Sequence, residues 1–101
     1  MYYSKTTIQS ENSARYLNTL CRHFARKVPA TWDEQQGKVN FLMGDCHFTL
    51  LTSSNQLEVR CSGKEIAQLT TVKSIVEQHI IMLSRRETIN INWSTDQQSC
   101  E

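Results

Sequence analysis

Val39-Asn40-Phe41-Leu42-Met43-Gly44-Asp45-Cys46-His47-Phe48-Thr49-Leu50 is the stretch whose reading decides the fold. Val39, Phe41 and Met43 alternate on odd numbers, whereas Cys46, Phe48 and Leu50 alternate on even ones. Successive strand residues point to opposite faces. One unbroken strand would therefore set the two apolar groups on opposite sides of a sheet. A two-residue turn at Gly44-Asp45 removes the conflict. It pairs Met43 with Cys46, Phe41 with Phe48 and Val39 with Leu50 on one face. A bulge at Gly44 is the alternative repair.

Working outward, Ser53-Ser54-Asn55-Gln56 reads as the next turn, after which Leu57, Val59 and Cys61 rejoin the apolar face. Upstream, Glu34-Gln35-Gln36-Gly37 reads as a turn following a short strand at residues 30–33. Ser62-Gly63-Lys64-Glu65 has capping-box spacing and opens a helix reaching about Arg86. Its apolar stripe is Ile66, Leu69, Val72, Val76, Ile80 and Leu83. Arg85 and Arg86 suit the negative end of that helix. Ile89, Ile91 and Trp93 alternate as a last strand, and residues 94–101 read as a flexible polar tail. At the other end, residues 4–9 form a strand. Ser10 or Asn12 then caps a helix that runs to about Lys27, where Pro29 ends it. Its buried stripe is Leu17, Leu20, Cys21, Phe24 and Val28.

The order is strand, helix, three or four strands, helix, strand. Each strand offers one apolar face and each helix one apolar stripe. The economical architecture is α+β: a mostly antiparallel sheet of five or six strands with two helices packed on one face. A chain of 101 residues is expected to be a single domain. The formal net charge of +1 exerts no global pull toward nucleic acid or a membrane surface. No apolar run approaches the ~20 residues of a membrane span. Of the four cysteines, Cys21, Cys46 and Cys61 occupy apolar positions of regular elements, where a free thiol behaves as a small hydrophobe. A reducing, cytoplasmic setting is expected.

The polar residues beside the apolar stripes are the candidate site. Helical residues turn by ~100° each, which sets Tyr16, His23 and Lys27 together on the flank of the first stripe. His79 and Arg86 lie two turns apart beside the second. Facing one another, these five residues would offer donors and positive charge to an anionic ligand: a carboxylate, a phosphate or a chelated phenolate. No metal site is expected. Cys21 and His23 point ~200° apart on a helix, Cys46 and His47 point to opposite faces of a strand, and no zinc spacing occurs.

Two other function classes have residues to offer. A small enzyme would use His23 or His79 as acid/base, with Glu87 the nearby acid, and would need a closed pocket with a histidine near a carboxylate. A nucleic-acid binder would use Arg15, Arg22 and Arg26 on the outer face of the first helix. Acids nearly balance bases and no aromatic residues interleave that patch, so nucleic acid is not the expected partner. The other face of the sheet carries Asn40, Leu42, His47, Thr49, Leu51, Glu58 and Arg60, a surface suited to solvent or to a homodimer.

Arg15-Tyr16-Leu17, Leu20-Cys21-Arg22-His23-Phe24-Ala25-Arg26-Lys27, Gly37, Phe41, Gly44, His79, Arg86-Glu87 and Trp93 resemble a family of short bacterial proteins, domain-of-unknown-function family 2218. The resemblance runs from about Thr6 to Trp93, and Leu-Cys-Arg-His-Phe-x-x-Lys is its most specific part. The chain departs from the pattern at Arg26, where many members carry a second histidine, and at Met82-Leu83, where an aromatic residue is common. The resemblance implies no established activity. It implies an association with siderophore and iron-uptake proteins, and so an accessory role with haem or a ferric chelate as the ligand to test. An acidic protein partner is the other candidate.

Overall fold

A computed structural model describes residues 1–84, 87, 89–94 and 97–98. β1 (Tyr2–Gln9) leads into α1 (Ser13–Phe24). Four strands follow: β2 (Ala30–Trp32), β3 (Gln36–Asn40), β4 (Gly44–Leu51) and β5 (Gln56–Gly63). A single 3-10 turn, Thr52–Ser54, separates the last two. Then come α2 (Ile66–Leu83) and β6 (Gln97–Gln98). All described strand pairs are antiparallel, in the sheet order β2-β3-β4-β5-β1-β6. Both helices pack against the sheet, α1 over β2 to β5 and α2 over β1, β4 and β5. This is the expected α+β architecture.

The core lies between the sheet and the helices. Val39, Cys46, Phe48, Leu57, Val59 and Cys61 rise from the sheet to meet Leu17, Leu20, Cys21, Leu69, Val72, Val76 and Ile80. These sheet residues share one face, as the parity of the sequence requires. The turn is elsewhere, however. Val39 pairs with Cys46 and Gly37 with Phe48, and Phe41 and Gly44 bond each other across Leu42-Met43. The register differs from the expected one by four residues. An even shift preserves every side-chain face, so parity alone cannot detect it. Gly44 serves close approach instead of turn geometry: a Cβ there would collide with the Ser62 carbonyl oxygen of β5. Leu42 lies at the exposed hairpin tip and not on the sheet face.

Gly37 also leaves its expected turn. Asp33 Oδ1 accepts from the backbone N–H of Gln35 at 2.8 Å and of Gln36 at 2.9 Å, which closes the turn one residue earlier. Gly37 is thereby freed to face α1, where a Cβ would stand 2.5 Å from Cys21 Sγ. The Ser62 capping box does not form. Ser62 stays in β5, paired with Tyr3 and Asp45, and Glu65 precedes the first helical residue. Ladder bonds on both sides of Ser62 outweigh one cap. Ile66 is exposed accordingly.

α1 ends at Phe24 and continues as hydrogen-bonded turns through Val28, up to Pro29. At the end of the chain, Ile89, Ile91 and Trp93 pack on the core without forming a ladder. Ser94 bonds the backbone of Lys5 on the edge of β1, and the short ladder of β6 with Tyr2 and Tyr3 follows. No helix among the described residues is long and apolar enough to cross a membrane. Arg85, Arg86 and Cys100 lie outside the described residues.

Candidate functional site in the cleft between the helices

α1 and α2 present their flanks to each other. The His23 and His79 rings stand 5.0 Å apart, centroid to centroid, at an interplanar angle of 56°. His79 also leans on Phe24 at 4.6 Å, and Phe24 meets Phe41 edge-on at 5.1 Å. His79 Nδ1 lies 2.7 Å from the Ile75 carbonyl oxygen. A carbonyl only accepts, so Nδ1 carries the proton in this bond and Nε2 is the acceptor of the neutral ring.

His23 is shared by two hollows. The first, of about 560 Å³, is the more polar of the two and is lined by Asn12, Arg15, Tyr16, Thr19, His23 and Glu87 together with Met82 and Leu83. The second, of about 340 Å³, is mostly apolar and is lined by Phe24, Lys27, Val28, Phe41, Ile75 and His79. Four of the five expected residues, Tyr16, His23, Lys27 and His79, therefore lie along one cleft. Arg86 falls outside the described residues. Burial and the neighbouring His79, Arg26 and Lys27 lower the proton affinity of His23. Its imidazole is accordingly neutral at pH 7, and the exposed Lys27 ammonium supplies the fixed charge at that end.

Glu87 is the centre of a network whose composition could not be read from the sequence. Its carboxylate accepts from the Tyr16 hydroxyl, from Ser10 Oγ at 2.9 Å and from Asn12 Nδ2 at 2.9 Å. These bonds hold its pKa below the usual carboxylate range. The Tyr16 hydroxyl is pushed up, first by burial and then by the bond to Glu87. Of the two expected caps of α1, Ser10 and Asn12, it is Asn12 that stands at the N-cap position, but its side chain turns to Glu87 and makes no cap bond. Ser10 Oγ accepts the Asn12 backbone N–H at 3.0 Å.

The remaining candidates occupy other places. Arg15 and Arg22 are exposed along α1 and Arg26 in the turn that follows it, with Arg15 reaching the Tyr16 hollow. Cys21, Cys46 and Cys61 are buried, and the Cys46 and Cys61 sulfurs lie 3.6 Å apart across neighbouring strands. Burial raises the Cys21 thiol to about 11, which keeps it protonated and unreactive at neutral pH. Among the described residues no group of three or more metal-ligating side chains is assembled.

A profile of a bacterial family, described as an uncharacterized protein conserved in bacteria (DUF2218), matches residues 5–94. The chain belongs to this family. The match spans the DUF2218 fold from β1 through the segment that returns to its edge, and so contains the whole cleft. The NMR structure of PA4090 from Pseudomonas aeruginosa is similar to this DUF2218 chain. Its TM-score is 0.77 at 21% identity, over 93% of this chain and 96% of that one. At that identity the likeness is one of fold. None of the curated proteins compared matches this DUF2218 chain.

Proposed function

We propose that the cleft between α1 and α2 binds an anionic group, carried by a small molecule or by an acidic segment of a partner protein. One observation carries the reading. Side chains from two helices, distant in sequence, meet as the His23–His79 pair between a hollow with Tyr16 and a hollow with Lys27. Such a convergence combines the Lys27 cation, two imidazole rings and concave apolar surface, the usual ingredients of a small-molecule site. The three buried thiols support a reducing, cytoplasmic setting for this role.

The acid/base alternative needs a closed pocket with a histidine near a carboxylate, whereas the hollow that His23 shares with Glu87 is open. Glu87 is bonded to Tyr16, Ser10 and Asn12, and His79 to a backbone carbonyl. Those observations favour binding. A titration of the labelled protein, followed by amide and imidazole NMR, tests the reading with acetate, phosphate, haem and a ferric chelate. Shifts confined to Tyr16, Thr19, His23, Lys27, Ile75 and His79 are expected with at least one of these anions. Shifts only on the open face of the sheet, or none with any probe, would refute it. The ferric probes decide whether the iron association implied by the family resemblance has a ligand behind it.

A further inference from the structure

The two hollows beside His23 differ in chemistry, and the difference selects a ligand. Building on the reading of the cleft as an anion site, we propose that its Lys27 end accepts an aryl carboxylate. The flat ring packs among Phe24, Phe41, Ile75 and His79, with the carboxylate at Lys27.

Size, shape and charge each support this class. A volume of about 340 Å³ falls at the lower end of small-molecule pockets. Its walls are aromatic and already arranged edge to face, with Phe24 against Phe41 at 83° and His79 tilted over Phe24. Such walls favour a planar guest, since ring pairs gain from offset and edge contacts beyond their buried area. Leu42, 100% exposed at the hairpin tip, extends the apolar rim. A ring seated there would cover surface that otherwise faces water.

Charge orients the guest. Lys27 is exposed at the rim, and among the described residues no carboxylate pairs with it. At the opposite end the Glu87 carboxylate and the Arg15 guanidinium line the same hollow, so their charges offset there and leave no net attraction for an anion. The negative head therefore belongs at Lys27 and the ring beneath it.

The test uses the whole chain with 2-naphthoate, its neutral analogue 2-naphthamide, and acetate, followed by NMR shifts of the cleft residues. Naphthoate should bind at least about tenfold more tightly than acetate, because ring burial adds to the charge. It should exceed naphthamide by about fivefold, the scale of an exposed ion pair. Lys27→Met should abolish the preference of naphthoate over naphthamide. Ile75→Gln should weaken both aryl probes by a larger factor than it weakens acetate. The folded spectrum of each variant provides the control. If acetate shifts the cleft but the ring adds nothing, the aryl class is wrong and the anion site stands. If naphthamide equals naphthoate in the wild type, the Lys27 assignment is overturned. Silence with all three probes overturns both readings.

Discussion

Thr6 Oγ1 is buried on the inner face of β1 with no hydrogen-bond partner among the described residues. A hydroxyl in that position carries a desolvation cost that nothing offsets. Valine has the same branched shape and suits a strand equally well. We expect Thr6→Val to stabilise the protein by about 1 kcal/mol, read as a higher urea midpoint at unchanged slope. A lower midpoint would mean that the hydroxyl has a partner. Glu87 gives a second test. Its pKa is depressed in the folded protein, so its contribution to stability is present above the ordinary carboxylate pKa. That contribution is lost as pH falls through the folded value. Tyr16→Phe removes the largest cause of the depression. The carboxyl resonance of Glu87 should then titrate at higher pH, and the stability lost in acid should be smaller and its loss complete at higher pH. The flank residues of this site were legible because helical periodicity fixes which side chains share a side. The Glu87 network was not. Its donors lie 71 to 77 positions away, and no local pattern announces a contact between a helix entry and an irregular segment.

At the scale of elements, apolar alternation revealed the strands and their inward faces. Register escaped it. The β3–β4 hairpin shows why: turns at Gly44-Asp45 and at Leu42-Met43 give identical inside-outside patterns, and only tertiary packing separates them. The glycine looked like a turn residue but is required where β4 passes the Ser62 carbonyl. Gly63 has a similar role at the junction with α2. A Cβ there would stand 2.7 Å from Leu69 N and 3.1 Å from Leu69 Cα, backbone atoms that move only with the helix. Gly63→Ala should therefore lift the first turn of α2 from the sheet and cost about 2–3 kcal/mol in urea denaturation. A loss under about 0.5 kcal/mol would show that the helix slides freely.

At the scale of the molecule, the sheet is bounded by the three residues of β2 on one side and by β6 with the Ser94 contacts on the other. Short or covered edges limit strand addition by other chains. Ending the chain at Ser94 would remove β6 and uncover the start of β1. We expect faster amide exchange at Tyr2 and Tyr3 and a concentration-dependent increase in mass by light scattering. Unchanged exchange at both residues would show that the two-residue ladder protects nothing.

The position of β1 also sets a clock. The strand is made before the rest of the sheet, yet its ladder with β5 joins Tyr2 to Gly63 and Gln9 to Gln56. These partners lie 63 − 2 = 61 and 56 − 9 = 47 positions apart. A ribosome delivering the chain from its N-terminus must release most of it before β1 can pair at all. The β2-to-β5 meander closes through neighbouring turns and is free to form as soon as it emerges. Pulsed amide exchange during refolding should accordingly protect β3, β4 and the β4-facing edge of β5 before β1. Until that late pairing, the earliest-made strand of the sheet is its least finished, and during that interval a nascent chain is most exposed to a wrong partner.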